Sequence, residues 1–161
     1  MRPSYGILRT LFLLILLSLV SFTSTAQWRN PPSEAIADSL SKSQLITADE
    51  LLPLLQSAKQ KPLILNVGPR MLYAQAHIPG AEFIGQGSDP ATMDALKQRV
   101  KSLPKSQSIV LYCGCCPWSH CPNVAPAYRQ LASLGFTKVR VLYLPTNLGV
   151  DWVYKGYPWV K

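Results

Sequence analysis

The chain has 161 residues, 48% of them hydrophobic, and carries 16 Lys and Arg against 8 Asp and Glu, a net charge of +8. That length provides one domain with a real core and leaves no room for several. The cations are scattered along the chain rather than gathered into a run, which argues against a nucleic-acid partner and for a basic, exported protein.

Arg2 and Arg9 flank a short polar start, Leu11 to Val20 is apolar except for Ser18, and Ser24-Thr25-Ala26 offers small residues where a signal peptidase cuts. The apolar stretch is well short of the ~20 residues that span a hydrocarbon layer, so residues 1–26 read as a cleaved signal peptide rather than a lasting anchor. Without a Cys near the cut there is no lipid attachment, and the expected location is the periplasm or the exterior, with no stable membrane insertion after cleavage. Residues 27–43, rich in Ser, Pro and Asn, read as a polar tether, and 44–161 as the folded domain.

Thr47-Ala48-Asp49-Glu50 fits a capping box, and Leu51, Leu52, Leu54, Leu55 and Ala58 give the helix behind it an apolar face that Pro53 interrupts. Leu63 to Val67 has the length and continuous apolarity of a strand covered on both faces, ended by Gly68-Pro69. A short helical stretch around Leu72 to Ala76 leads into the turn His77-Ile78-Pro79-Gly80-Ala81 and a brief apolar return at Phe83-Ile84. Asp89-Pro90 opens the next helix, with Met93, Leu96 and Val100 at helical spacing. Ser108 to Tyr112 is a strand, Asn123 caps a helix with Val124, Ala127, Leu131 and Leu134 on one face and Gly135 as its stop, and Val139 to Leu144 is the last strand. Alternating strands and helices predict an α/β fold, a mostly parallel central sheet with helices on both faces in three layers.

All four cysteines fall in nine residues, Cys113-Gly114-Cys115-Cys116-Pro117-Trp118-Ser119-His120-Cys121, directly after the Ser108 to Tyr112 strand. The carboxyl end of such a strand, facing a following helix, is where open α/β sheets gather reactive groups. There a thiolate gains from converging amides and the helix dipole. In an exported chain the bland expectation is disulfide pairing, and Cys115 and Cys116, being adjacent, pair more comfortably with Cys121 or Cys113 than with each other. The alternative is a metal site, Cys113, Cys115, Cys116, His120 and Cys121 supplying soft ligands for copper or zinc, although one loop is a poor source of a zinc knuckle. Trp118 and Pro117 stiffen the loop.

In this order, Ile46 to Glu50, Leu63 to Val67, His77-Ile78-Pro79-Gly80-Ala81, Ile109 to Cys113, Leu134-Gly135-Phe136 and Trp152 with Gly156-Tyr157-Pro158 resemble a single-domain rhodanese. The resemblance implies a three-layer rhodanese-like fold without a cofactor. It implies Cys113 as the nucleophile of a sulfurtransferase, taking sulfane sulfur from a small anionic donor such as thiosulfate as a persulfide and passing it to cyanide, a thiol or a partner protein. His77 then organises its turn. Two departures stand out. No Arg or Lys occurs between Cys113 and Tyr128, which excludes the phosphate-ester and arsenate chemistry of rhodanese relatives. The usual Asp-Val-Arg is Asn66-Val67-Gly68. His120 and Asn66 remain as electrostatic support, and Cys115, Cys116 and Cys121 as resolving, disulfide-forming or metal-binding thiols. A non-catalytic thiol-redox or copper- or zinc-binding module on the same scaffold stays open as the second reading.

Overall fold

Each apolar run of strand length enters one five-stranded sheet in the computed structural model, which describes residues 40–57, 59 and 61–161. The expected signal peptide 1–26, the tether up to Ser39, and Ala58 lie outside the described residues. Strand β1 (Leu45–Ile46) is followed by helix α1 (Ala48–Gln56), β2 (Leu63–Asn66), α2 (Arg70–Gln75), β3 (Ala81–Phe83), α3 (Pro90–Val100), β4 (Ile109–Tyr112), α4 (Val124–Ser133) and β5 (Val139–Leu142). A single π-helical turn, Gly149–Val153, follows. The strand order is β1-β5-β4-β2-β3, and every pairing in it is parallel.

Local chemistry sets the helix ends. Thr47 Oγ1 accepts from the Glu50 amide at 3.3 Å while Glu50 Oε2 accepts from the Thr47 amide at 2.8 Å, the reciprocal capping box. Pro53 stands on the exposed side, so α1 runs through it at the loss of one backbone hydrogen bond. Asp89 Oδ1 accepts from Ala91 N at 2.9 Å, with Pro90 in the first turn of α3. Helix α4 ends in a Schellman motif, Gly135 N donating to Ala132 O and Phe136 N to Leu131 O, with Leu131 and Phe136 in the same core cluster.

Two apolar layers enclose the sheet. Leu96 and Val100 of α3 and Val124, Ala127 and Leu131 of α4 pack on Leu65, Ile109, Leu111 and Val141. On the other face Leu51 of α1, with Ile78, Leu148 and the fully buried Trp152, packs on Ile64, Val110 and Tyr112. Each fully buried Leu or Ile contributes on the order of 1.5–3 kcal/mol, so β4, buried along its whole length between the layers, is the most firmly held strand. In the segment read as tether, Leu40 packs against the first layer and Lys42–Gln44 form a 3-10 turn. Among the described residues no helix is long and apolar enough to cross a membrane.

From β2 the chain moves outward to β3, and from β4 it moves outward the other way to β5. The loops leaving the carboxyl ends of β2 and β4 therefore diverge and open a crevice between them, the place where such sheets bind ligands. Asn66, Val67 and Gly68 border it from one strand, and the cysteine loop from the other.

Candidate functional site

Cys113 follows the last residue of β4 and is 6% exposed. Its position is fixed by β2: Asn66 Nδ2 donates to the Cys113 carbonyl at 3.3 Å and Asn66 Oδ1 accepts from Gly68 N at 3.1 Å. Asn66 thus holds the backbone under the sulfur rather than the sulfur itself. A Cβ on Gly68 would lie 2.5 Å from the Cys113 carbonyl oxygen and 3.2 Å from its Sγ. Only glycine allows β2 to approach this closely.

Gly114 reverses the chain at φ +75, a conformation that side chains disfavour. That reversal brings Cys115 back over Cys113, Sγ to Sγ at 3.0 Å, and Cys116 Sγ lies 3.0 Å from Cys115 Sγ. The three ligand atoms all lie within 4.8 Å of one another. Cys121, 4% exposed, joins the edge of the cluster, and the structure carries all four as free thiols.

The sulfurs share protons. Cys115 is held well below the ordinary thiol range, chiefly because the Cys113 thiol donates to it, then Cys121, with burial opposing. Cys113 is pushed up, first by that same hydrogen bond to Cys115, then by Cys121 and by burial. Burial and then donation to Cys115 push Cys116 up. For Cys121 the contact with Cys113 acts downward, but donation to Cys115 and burial together raise it. The four thiols are therefore coupled, and the group ionises as a unit rather than residue by residue, with Cys115 the sulfur on which its neighbours' hydrogen bonds favour negative charge.

One contributor was not visible in the sequence. Asn123 was expected to cap α4, and it does occupy the N-cap position, but its side chain makes no capping bond. Its Nδ2 donates instead to Cys113 Sγ at 3.2 Å, with Cys115 Sγ at 3.9 Å, and its Oδ1 accepts from Ser88 N at 3.0 Å. The reason is competition: a 2% exposed amide beside a shared negative charge finds better partners across the crevice than in its own first turn. A polar residue just after a reactive loop is the only sequence signal, and the helix-cap preference hides it.

His120 is exposed, its Nδ1 paired with Ser119 Oγ at 2.8 Å, and it lies outside the set of three sulfurs. His77 donates through Nδ1 to the Tyr73 carbonyl at 3.0 Å, stacks on the Tyr73 ring and bridges to Val160, the scaffolding role its turn motif suggested. Trp118 packs edge-on against Tyr143 and, with Val124, Leu142 and Leu144, closes the side of the cluster formed by Cys113, Cys116 and Cys121, leaving a hollow of about 10 Å³. On the opposite side Cys113 and Cys115 open onto a cavity of about 290 Å³ walled by Leu72, Tyr73, Leu148 and Val153 and by the amides of Asn66, Gln75 and Asn147. Among the described residues no Lys or Arg lines that cavity. Lys59, Lys61, Lys138 and Arg140, dispersed in the sequence, line a separate depression of about 440 Å³ by the amino ends of the strands.

A family model described as Rhodanese-like domain matches residues 47–143. Among solved structures, the chain is similar to a protein from Anabaena sp. that contains a rhodanese-like domain, 26% identical with a TM-score of 0.54, covering 71% of this chain and 81% of that one. A Bacillus halodurans protein, 22% identical with a TM-score of 0.57 and covering 79% and 84% of the two chains, shares the fold. A structure of EanB, described as a cysteine persulfide in a tetrahedral intermediate state with ergothioneine, is 25% identical with a TM-score of 0.51, over 73% of this chain and 28% of that one. No curated protein matches the sequence.

Proposed function

The chain belongs to the rhodanese-like domain family, matched over residues 47–143, and on that premise we propose that it is an exported sulfurtransferase with Cys113 as the persulfide carrier. A rhodanese-like domain with a cysteine-rich loop is a sulfur-transfer type of scaffold; the donor, the acceptor and export are this reading's own. The observation that carries it is the position of Cys113, at the carboxyl end of the central strand, open to the 290 Å³ cavity and in hydrogen-bond contact with both Cys115 and Asn123.

The steps follow from those contacts. The cluster ionises as one group, and the proton that Cys113 and Cys115 share across their 3.0 Å contact moves off Cys113 as its sulfur engages the donor. Cys113 Sγ then attacks the outer sulfur of a thiosulfate-type donor; a new S–S bond forms, the donor S–S bond breaks, and sulfite leaves with the electron pair. Asn123 Nδ2 supports the charge that develops on Sγ. A thiolate or cyanide acceptor next attacks the terminal sulfur, and Cys113 leaves as thiolate, so no net oxidation of the protein occurs. The EanB structure carries a cysteine persulfide, the same species this reading assigns to Cys113.

The test is mass spectrometry of the reduced protein after thiosulfate. The expected result is a gain of one sulfur mapped to Cys113 with release of sulfite, abolished in Cys113→Ser and slowed in Cys115→Ser. A protein that gains no sulfur and releases no sulfite overturns the reading. Export is checked separately by sequencing the amino terminus of protein from the native host, which should begin at Gln27.

A further inference from the structure

Sulfur transfer needs one thiol and at most a second to hold its proton, yet the loop gathers three sulfurs within 4.8 Å and holds them with a glycine reversal and two polar supports. We infer that Cys113, Cys115 and Cys116 form a site for a single soft monovalent cation, Cu(I), bound as a three-coordinate thiolate centre. The inference goes beyond the sulfurtransferase reading and stands whether or not that reaction occurs.

Geometry is the first support. A metal–thiolate bond of about 2.3 Å sets the edges of a trigonal sulfur set at about 4 Å. Two contacts in the cluster are now 3.0 Å and none exceeds 4.8 Å, so the triangle brackets that size. Opening the two short contacts by about 1 Å is a small adjustment in a loop that already brings the three sulfurs together. Two of these contacts are S–H···S hydrogen bonds, so the cation takes the place of shared protons, which leave to solvent as it binds.

The donor set selects the metal. It is sulfur alone, which favours a soft ion. Zinc closes a tetrahedron with a fourth ligand; Cys121 touches the cluster but is not within 4.8 Å of all three sulfurs, and the exposed His120 is engaged by Ser119, so a tetrahedral centre needs a larger rearrangement than a trigonal one. A three-coordinate d10 ion fits what is present. Trp118, Val124, Leu142 and Leu144 leave about 10 Å³ beside Cys113, Cys116 and Cys121, at the lower limit of what one water occupies, so no solvent ligand enters from that side. Asn123 Nδ2, already 3.2 Å from Cys113 Sγ, offsets part of the remaining negative charge.

The experiment uses the full chain, reduced and free of oxygen, titrated with Cu(I) against a chromogenic Cu(I) chelator, followed by X-ray absorption. One equivalent held against the chelator, with three sulfur neighbours at about 2.3 Å, is the expected result. Cys116 is half-buried and its replacement spares the core, so Cys116→Ser should fold, as checked by circular dichroism, and weaken retention by more than the roughly 100-fold that outer-shell changes cause. Cys121→Ser should stay within about tenfold of the parent, as an outer neighbour does. Failure to retain copper, retention unchanged in Cys116→Ser, or a four-sulfur zinc centre held in preference each overturns the inference. Because persulfide formation is measured on copper-free protein, failure there leaves this result intact, and the reverse holds too.

Discussion

Replacing Asn123 separates what that side chain does for the sulfur from what it does for the fold. Its Nδ2 donates to Cys113 Sγ at 3.2 Å and its Oδ1 accepts from Ser88 N at 3.0 Å. A hydrogen bond to a charged acceptor contributes about 1.5–3 kcal/mol, so its loss should slow persulfide formation by about 10- to 150-fold. The fold loses less: Ser88 is exposed and water can meet its amide, which puts Asn123→Ala at about 1 kcal/mol of stability, the ordinary net worth of one hydrogen bond. Asn123→Asp is the sharper variant, because it keeps the acceptor for Ser88 and sets an oxygen against the sulfur where a donor stood. Sulfite release in single turnover gives the rate, and urea denaturation gives the stability. If Asn123→Asp loads sulfur at the parent rate, the amide does not act on the reacting atom and the assignment is wrong.

Gly114→Ala must take up φ +75 and put a Cβ 2.8 Å from that of Leu148, so about 1–2 kcal/mol of backbone strain plus the displaced Leu148 should appear in denaturation, together with slower sulfur loading. A change within about 0.5 kcal/mol, the range of an ordinary surface substitution, would mean the reversal is not what aligns the thiols. Glu82 pairs with Arg99 through two contacts at a partly exposed site, and Glu82→Gln should cost up to about 1 kcal/mol at neutral pH. The hydrogen bond from Arg99 holds the Glu82 carboxyl below its ordinary 4.5, so this stability is complete above 4.5 and disappears as the pH falls through the lower folded value. A difference between parent and Glu82→Gln that persists undiminished in acid contradicts the pairing. Because no Lys or Arg among the described residues lines the sulfur cavity, the rate with thiosulfate should be nearly insensitive to added salt; a several-fold fall would show that the cations near the opposite strand ends steer the donor after all.

Sequence by itself determined what local rules control. The capping box at Thr47, the Asp89-Pro90 start of α3, the Gly135 stop and the apolar strands at Leu63 and Ile109 are written in short-range chemistry, and each forms. The end of the Ile109 strand placed the cysteine loop at the carboxyl edge of the sheet, because strand ends in a parallel sheet all face one side, and the choice of Cys113 within that loop rested on the family resemblance. Tertiary structure decided the rest, since it depends on which loops the crossovers bring together. Only the pairing of β2 beside β4 sets Asn66 and Gly68 under Cys113, and only the packing of α4 turns Asn123 away from its own helix and onto the sulfur. The sequence showed four similar cysteines with a histidine beside them. The fold closes three sulfurs into one proton-sharing group, leaves His120 facing solvent, and gathers scattered cations by the opposite ends of the strands, because desolvation and partner geometry act only once the chain has folded back on itself.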